Sequence, residues 1–164
     1  MAKKTKKNKF TVIKDTREKN GWDFESHSSC EAVVTETIKT GDYTIKGFED
    51  QLCIERKART SEIAMNLGKY RARFERELDR MTEYKYSYIL LEFDVDDLMS
   101  YPKGSGIPLK RWRSIRVTGK YMLNLLIQFE IQYGVSVIFC GDKENAEYIA
   151  NTIFKKVIDA KKTK

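Results

Sequence analysis

The chain has 164 residues and a formal net charge of +7, with one histidine and three widely separated cysteines. This length fits a single domain with a substantial core, and the lack of any long uninterrupted apolar run excludes a membrane-spanning protein. The cysteine spacing excludes a disulfide scaffold and a closely paired zinc site, and a lone histidine argues against a histidine-based catalytic cluster.

The excess positive charge lies at the two ends of the chain. Residues 1–9 carry five lysines and no acid, and residues 155–164 carry five lysines against one aspartate. We predict a basic disordered arm at 1–9, a folded domain at 10–158 and a basic tail at 159–164. Such ends suit non-specific contact with nucleic acid, and solubilising tails are the alternative interpretation.

The first lysines are not followed by a hydrophobic signal segment. We therefore expect an intracellular protein with no membrane partner. The cytoplasm of a prokaryotic or virus-infected cell is the favoured location, and the nucleus is the alternative because a basic run also suits nuclear import.

The first predicted elements are extended. Residues 10–15 alternate between apolar and polar types, which predicts a strand that ends in the polar run Asp15-Thr16-Arg17-Glu18. Residues 32–39 predict a second extended segment, and residues 41–57 predict a β-hairpin. Thr60 or Ser61 is then predicted to cap a helix that continues through Met81.

The hairpin brings chemically useful side chains together. If residues 47–50 form a four-residue loop, Asp42 lies opposite Glu55, and their Cβ atoms are about 5 Å apart. Lys57 projects from the same face, while Arg56 leaves on the other. Two carboxylates this close repel each other, so a divalent cation between them, with a lysine beside it, suits phosphodiester hydrolysis. The alternative is a solvated hairpin face with an ordinary salt bridge.

The later elements alternate between strand and helix. Residues 86–93 predict a strand buried on both faces, residues 135–139 another strand, and residues 146–157 a closing helix. A helix that begins at Tyr121 and ends near Ile131 is apolar around most of its circumference, which predicts burial in a core or an interface. The pattern indicates a single α/β domain around a mixed sheet.

One basic patch lies within the body of the protein, in a stretch without acids from residue 98 to residue 129. An aromatic residue between guanidinium groups can stack on bases or contact phosphates, although the tryptophan could equally pack against the domain. We predict nucleic-acid binding by Lys103, Lys110, Arg111, Trp112, Arg113, Arg116 and Lys120.

The motifs Asp15-x-Arg17-Glu18, Gly41-Asp42 and Glu55-Arg56-Lys57, followed by Leu90-Leu91-Glu92-Phe93, together resemble the nuclease domain of XPF, Hef and related structure-specific endonucleases. These enzymes belong to the PD-(D/E)XK class. The resemblance runs from about residue 10 to residue 157. It implies a restriction-endonuclease-like mixed β-sheet flanked by helices on both faces.

The resemblance also implies roles for individual residues. Asp42 and Glu55 would be ligands of a catalytic Mg²⁺ or Mn²⁺, and Asp15 would be a further ligand or an orienting carboxylate. Lys57 would hold the attacking water or stabilise the charged phosphorane. Glu18 would support the site, and we expect Arg56 to position it from the other face.

This sequence departs from the family pattern in two ways. The final aspartate of the family signature falls at Ser61, so Glu62 one residue later is the candidate replacement. We do not expect the tandem helix-hairpin-helix units of the family within these 164 residues, because the predicted last helix ends near residue 157. DNA contact is therefore expected from the basic segments, from a homodimer formed through Tyr121 to Ile131, or from a separate DNA-binding partner.

The sequence thus predicts a metal-dependent endonuclease that acts on branched, forked or flapped DNA. The first alternative is a non-catalytic scaffold with a nuclease fold that binds DNA or accompanies an active subunit. A second alternative is a module that binds nucleic acid through its lysine-rich ends alone.

Overall fold

The computed structural model describes residues 9–163 as one α/β unit built on a six-stranded mixed sheet. The strands are β1 (Phe10–Asp15), β2 (Cys30–Glu36), β3 (Tyr43–Ile45), β4 (Leu52–Lys57), β5 (Tyr86–Leu91) and β6 (Ser136–Phe139). Their order is β2-β1-β3-β4-β5-β6. Strands β1, β3 and β4 pair antiparallel, and the β1–β2, β4–β5 and β5–β6 pairs are parallel. The predicted mixed sheet, with the hairpin as its antiparallel portion, is confirmed.

Helices cover both faces of this sheet. They are α1 (Thr60–Leu67), α2 (Arg71–Met81), α3 (Val95–Met99), α4 (Leu109–Trp112), α5 (Gly119–Tyr133) and α6 (Lys143–Lys162). Apolar residues of α1, α2 and α5 form one core with one sheet face, and α6 forms a second core on the opposite face. None of the helices within residues 9–163 is long and apolar enough to cross a bilayer.

The hairpin has the predicted register, with Tyr43 paired to Ile54. Tyr43 and Ile54 lie in the core beneath α6, whereas Cys53 lies in the core beneath α1, α2 and α5. Because side chains alternate along a strand, Glu55 and Lys57 project toward the same helices as Cys53. The functional side chains therefore lie at the edge of a core, between the sheet and two helices.

The predicted single helix from residue 60 to Met81 is wrong, because the chain breaks at Gly68 into α1 and α2. The Gly68 backbone N–H donates to Ala64 O and ends α1, and an added Cβ at Gly68 would lie 2.9 Å from that same oxygen. The predicted cap is also wrong. Arg59 occupies the N-cap position of α1, and its side chain makes no capping hydrogen bond.

Several further boundaries differ from the prediction; for example, β5 ends at Leu91 and not at residue 93, and α5 extends from Gly119 to Tyr133. Strand β2 begins at Cys30, earlier than residue 32. Helix α6 begins after Asp142, whose side chain accepts from the Asn145 backbone N–H, and continues to Lys162. Most of the predicted tail at 159–164 therefore lies in the last turns of α6, whereas the predicted arm at 1–9 lies almost entirely outside the described residues.

Candidate active site

A cleft of about 330 Å³ lies between the β3–β4 hairpin and helices α1 and α2. Asp42, Glu55 and Lys57 of the hairpin line it together, and Glu77 of α2 lines it from the helical side. The predicted meeting of two carboxylates and a lysine on one side of the sheet is therefore present in the structure.

Local backbone contacts position Asp42. It follows Gly41, whose φ of +84° lies in the left-handed region, and an added Cβ at Gly41 would lie 3.0 Å from Ile54 O. Glycine is thus required for the chain to approach β4 this closely. The Arg56 backbone N–H donates to Asp42 Oδ2 at 2.8 Å, which holds the carboxylate against the Glu55-Arg56-Lys57 run.

The electrostatics of Asp42 favour a cation in the cleft. Burial, together with the negative charge of Glu55, raises the pKa of Asp42 to about 8. A carboxylate that is shielded from water and faces a second carboxylate is stabilised in its ionised form by a nearby positive ion. Both groups offer oxygen donors, which is the chemistry that Mg²⁺ and Mn²⁺ prefer.

The protein supplies few ligands for such an ion. Across residues 9–163, no group of three histidine, cysteine, aspartate or glutamate side chains is placed to hold a metal. Mg²⁺ commonly binds through one or two carboxylates and completes its shell with waters and substrate phosphates. The Asp42 and Glu55 carboxylates therefore fit this ion as a pair that the substrate would complete.

Lys57 is almost fully buried beside Glu55. Its Nζ donates to Glu55 Oε1 at 2.7 Å and lies 5.4 Å from the centre of the Phe74 ring. Burial by itself lowers the pKa of Lys57, but the charges of Glu55 and Glu77 outweigh it and hold the pKa above its ordinary value. Lys57 is therefore an ammonium cation at neutral pH.

Glu77 is a site residue that the sequence analysis missed. Burial and the charge of Glu55 raise the pKa of Glu77 to about 7. In the sequence, Glu77 directly precedes the buried Leu78 and looks like an ordinary polar residue at the edge of the apolar face of α2. Only the break at Gly68, which the periodicity did not reveal, sets the direction of α2 and brings Glu77 over the hairpin.

Asp15, predicted as a further metal ligand or an orienting carboxylate, lies next to Asp42, because its backbone N–H donates to Asp42 O at 2.8 Å. It is buried outside the cleft lining, and its two oxygens accept hydrogen bonds from Arg17 and from the Ile38 backbone N–H. Burial raises the pKa of Asp15, but these hydrogen bonds outweigh it and lower the pKa below its ordinary value. Asp15 therefore orients Arg17, which does line the cleft, and both of its oxygens accept hydrogen bonds.

Arg56 leaves the sheet on the opposite face, as predicted. It forms ion pairs with Glu92, at 2.6 Å from Nε to Oε1, and with Glu18, at 3.2 Å from Nη1 to Oε1. The Trp22 indole N–H also donates to Glu92 Oε1. Glu18 therefore supports the hairpin from behind through Arg56, and Glu92 is a partner that sequence reasoning did not assign.

Glu62, the candidate replacement for the last acid of the signature, lines the cleft from α1. Its Oε2 accepts from the Ala58 backbone N–H at 3.0 Å, directly after the Glu55-Arg56-Lys57 run. Its place is thus compatible with the predicted substitution, which stays a prediction.

The predicted DNA-binding segment is a separate surface. Lys110, Arg111 and Arg113 are exposed on or beside α4. The Trp112 indole N–H donates to Ile107 O at 2.9 Å, and the ring is half-buried, so this tryptophan packs against its own segment. Lys103, Arg116 and Lys120 are also exposed, and none of these residues lines the cleft.

Comparison with protein families adds an independent observation, because residues 14–152 match the model of the ERCC4 domain. The chain belongs to the ERCC4 domain family. Proteins with an ERCC4 domain are mostly nucleases, and these nucleases are typically metal-dependent. The matched residues include the β3–β4 hairpin and helices α1 and α2, which together line the cleft.

Solved structures show the same fold as this ERCC4 domain. XPF from Aeropyrum pernix matches with a TM-score of 0.66 and 19% identity, over 90% of this chain and 65% of that chain. A complex of the same archaeal protein with DNA matches with a TM-score of 0.62 and 17% identity, over 93% of this chain and 66% of that chain. The chain thus spans just under two-thirds of each of these structures. No curated protein sequence matches it.

Proposed function

We propose that this ERCC4 domain is a metal-dependent endonuclease that hydrolyses phosphodiester bonds in branched, forked or flapped DNA. The observation that carries the proposal is the convergence of Asp42, Glu55 and Lys57 on one cleft. Two carboxylates that can hold a divalent ion, with a lysine beside them, suit hydrolysis of a phosphodiester. Membership of a family composed mostly of nucleases supports the same conclusion.

The carboxylates of Asp42 and Glu55 would hold the Mg²⁺ or Mn²⁺. When bound, such an ion would lower the pKa of a coordinated water and neutralise charge on the phosphate. Asp15 would act through Arg17, which it fixes at the rim of the cleft. This role corresponds to the orienting alternative of our prediction for Asp15, and the direct ligand role stays a prediction.

Lys57 would stabilise negative charge on the phosphate and would not act as a general base. An ammonium has three N–H donors and no lone pair, and only one of these donors is required for the hydrogen bond to Glu55. The others would contact a phosphoryl oxygen as negative charge develops on it. Burial strengthens this interaction because little water screens it.

Arg56 and Glu18 would position the site from the opposite face. The Arg56 side chain is tied to Glu92 and Glu18, while its backbone N–H holds Asp42. One residue thus connects the buried ion pairs behind the sheet with a carboxylate in front of it. Movement of the arginine would shift the Asp42 carboxylate.

The basic segment and the outer face of α5 would bind DNA and a second subunit. Lys103, Lys110, Arg111, Arg113, Arg116 and Lys120 offer phosphate contacts, with Trp112 as their structural support. On α5, Ile127 and Ile131 are 48% and 82% exposed. Exposed apolar residues on this helix suit either the predicted homodimer or a heterologous DNA-binding partner.

The proposal is tested with purified protein and a set of end-labelled forks, flaps, junctions and single strands. We expect cleavage of at least one branched substrate with Mg²⁺ or Mn²⁺, and no cleavage in excess chelator. Asp42→Asn and Glu55→Gln are expected to bind DNA and not cut it. Protein that is inert on every substrate with either ion contradicts the proposal.

The scaffold alternative is favoured by one observation, that within residues 9–163 no three histidine, cysteine, aspartate or glutamate side chains are placed together to hold a metal. A scaffold would bind DNA without binding a divalent ion at Asp42 and Glu55. Titration with Mn²⁺ therefore separates the two functions before any cleavage assay is made.

A further inference from the structure

Helix α2 carries a charge separation that its sequence conceals. Residues 71–83 contain four arginines and four acids, so the segment shows no basic patch when it is read in order. Helical spacing places residues four apart on the same side. Arg71 pairs with Glu75 on the side away from the cleft, at 3.2 Å. Arg73, Glu77 and Arg80 lie on the cleft side.

The two arginines of the cleft side are available for a ligand. Arg73 and Arg80 are exposed, and neither takes part in an ion pair within residues 9–163. Seven residues of α-helix advance by about 10.5 Å, so the two guanidinium groups are attached two turns apart along the cleft. Glu77 between them interacts with Glu55 at the base of the cleft.

An aromatic residue extends this edge. Tyr70 directly precedes α2, lines the same cleft and is 41% exposed. Proteins that bind single-stranded nucleic acid combine cationic groups along the backbone with aromatic rings on which bases stack. Tyr70, Arg73 and Arg80 present this combination along one line at the mouth of the cleft.

The electrostatics of the cleft require such cations. Asp42, Glu55, Glu62 and Glu77 all line it, and together they repel a phosphate. Arg17 lies at the rim, held by Asp15, and Arg73 and Arg80 lie on the helical side. A phosphodiester that approached the acids would therefore pass between positive groups contributed by two different parts of the chain.

We propose that the cleft-facing edge of α2, formed by Tyr70, Arg73 and Arg80, binds an unpaired DNA strand and leads it to the carboxylates. The proposal deepens the proposed nuclease function, on which it rests for the identity of the ligand. It assigns the contact with the cut strand to α2, separately from the basic segment around α4. Preference for an unpaired strand follows from Tyr70, because bases within a duplex are already stacked.

The test measures binding, not cleavage. Wild-type protein and the R73A/R80A double variant are titrated, in excess chelator, against a fluorescent single strand and against its duplex. We expect the double variant to bind the single strand at least tenfold more weakly, an order-of-magnitude estimate for two lost phosphate contacts. The slope of log affinity against log salt concentration should fall in magnitude by about 1.4, since each phosphate contact on a single strand contributes roughly 0.7. The affinity for duplex should change much less.

Substitution of Tyr70 should change the affinity for the single strand without changing its salt dependence. We expect Y70A to weaken single-strand binding by at least about fivefold while the salt slope stays unchanged, because stacking releases no counterions. Y70F should bind like wild type. Conservative replacement of both arginines, R73K/R80K, should retain the salt slope.

The matched control is K46A/K85A, which removes the same charge from two exposed lysines outside the cleft lining. We expect it to bind the single strand like wild type. If R73A/R80A binds the single strand with the same affinity and the same salt slope as wild type, the proposal is overturned. Equal losses for single strand and duplex would also overturn it, in favour of a duplex contact. A protein that shows the expected binding but cuts nothing would contradict only the nuclease function.

Discussion

Lys57 Nζ lies 2.7 Å from Glu55 Oε1, and both side chains are almost completely buried at the base of the cleft. The nearby carboxylates hold the pKa of Lys57 above its ordinary value, so the lysine is a fixed positive charge. The hairpin therefore combines repulsion between the Asp42 and Glu55 carboxylates with a compensating cation, Lys57, on the same strand as Glu55.

Replacement of Lys57 by Met should abolish charge stabilisation while it keeps the length of the side chain. We expect K57M to cut branched DNA roughly 100-fold more slowly, as in other enzymes that lose one stabilising donor. Binding of DNA, measured by anisotropy in chelator, should remain. K46M is the matched control, because Lys46 is exposed on the same hairpin. K57M protein that is folded and cuts at the wild-type rate would exclude the assigned role.

The ion pairs of Arg56 should stabilise the fold. Its guanidinium and the Glu92 carboxylate are both largely buried, so removal of one partner leaves the other charge unpaired. We expect Glu92→Ala to lower the free energy of unfolding by about 3 kcal/mol, measured by urea denaturation. Lys39→Ala breaks the exposed ion pair with Glu83 and should leave the midpoint of urea unfolding unchanged. Similar effects of both substitutions would argue against a structural role for Arg56.

Much of this arrangement could be predicted from the sequence, because it depends on strand alternation and hairpin register. The pairing of Tyr43 with Ile54 and the opposite directions of Arg56 and Lys57 follow from counting residues. Glu77 could not be found in this way, since its position depends on the break at Gly68 and on the packing of α2. Asp15 was identified from the sequence, but its contact with the Ile38 backbone, 23 residues away, depends on the fold and could not be predicted.

The stability of the metal-free protein should depend on the ionisation of Asp42. Its pKa is raised from 3.8 to about 8 in the folded chain, so the folded state binds the proton more tightly than the unfolded state. The contribution of Asp42 to stability is then complete below pH 4 and is lost as the pH rises toward 8. We expect Asp42→Asn to raise the melting temperature in chelator more at pH 8.5 than at pH 5.5.

A bound divalent ion should reverse this dependence. Only the ionised carboxylate binds the ion, so Mg²⁺ should raise the melting temperature of wild-type protein more at pH 8 than at pH 6. Thermal melts at both pH values, with and without Mg²⁺, test this directly. An equal Mg²⁺ effect in wild type and Asp42→Asn would show that the ion acts elsewhere.

Gly41 should be essential for the position of Asp42. Alanine at this residue requires a left-handed backbone, which is unfavourable by roughly 1–2 kcal/mol, and it brings Cβ to 3.0 Å from Ile54 O. We expect Gly41→Ala to destabilise the protein in urea and to reduce cleavage. Gly47→Ala is the control, since Gly47 also has a positive φ but has open space around it. Greater loss of cleavage in Gly47→Ala than in Gly41→Ala would contradict this explanation.

The central claim is that Asp42 and Glu55 hold one divalent ion together. Calorimetric titration of Mn²⁺ into wild type, Asp42→Asn and Glu55→Gln, with Glu49→Gln as an exposed control on the hairpin loop, tests it most directly. We predict one site in wild type and in the control, and loss of that site in each of the other two variants. Mn²⁺ binding that survives both single substitutions would contradict the account.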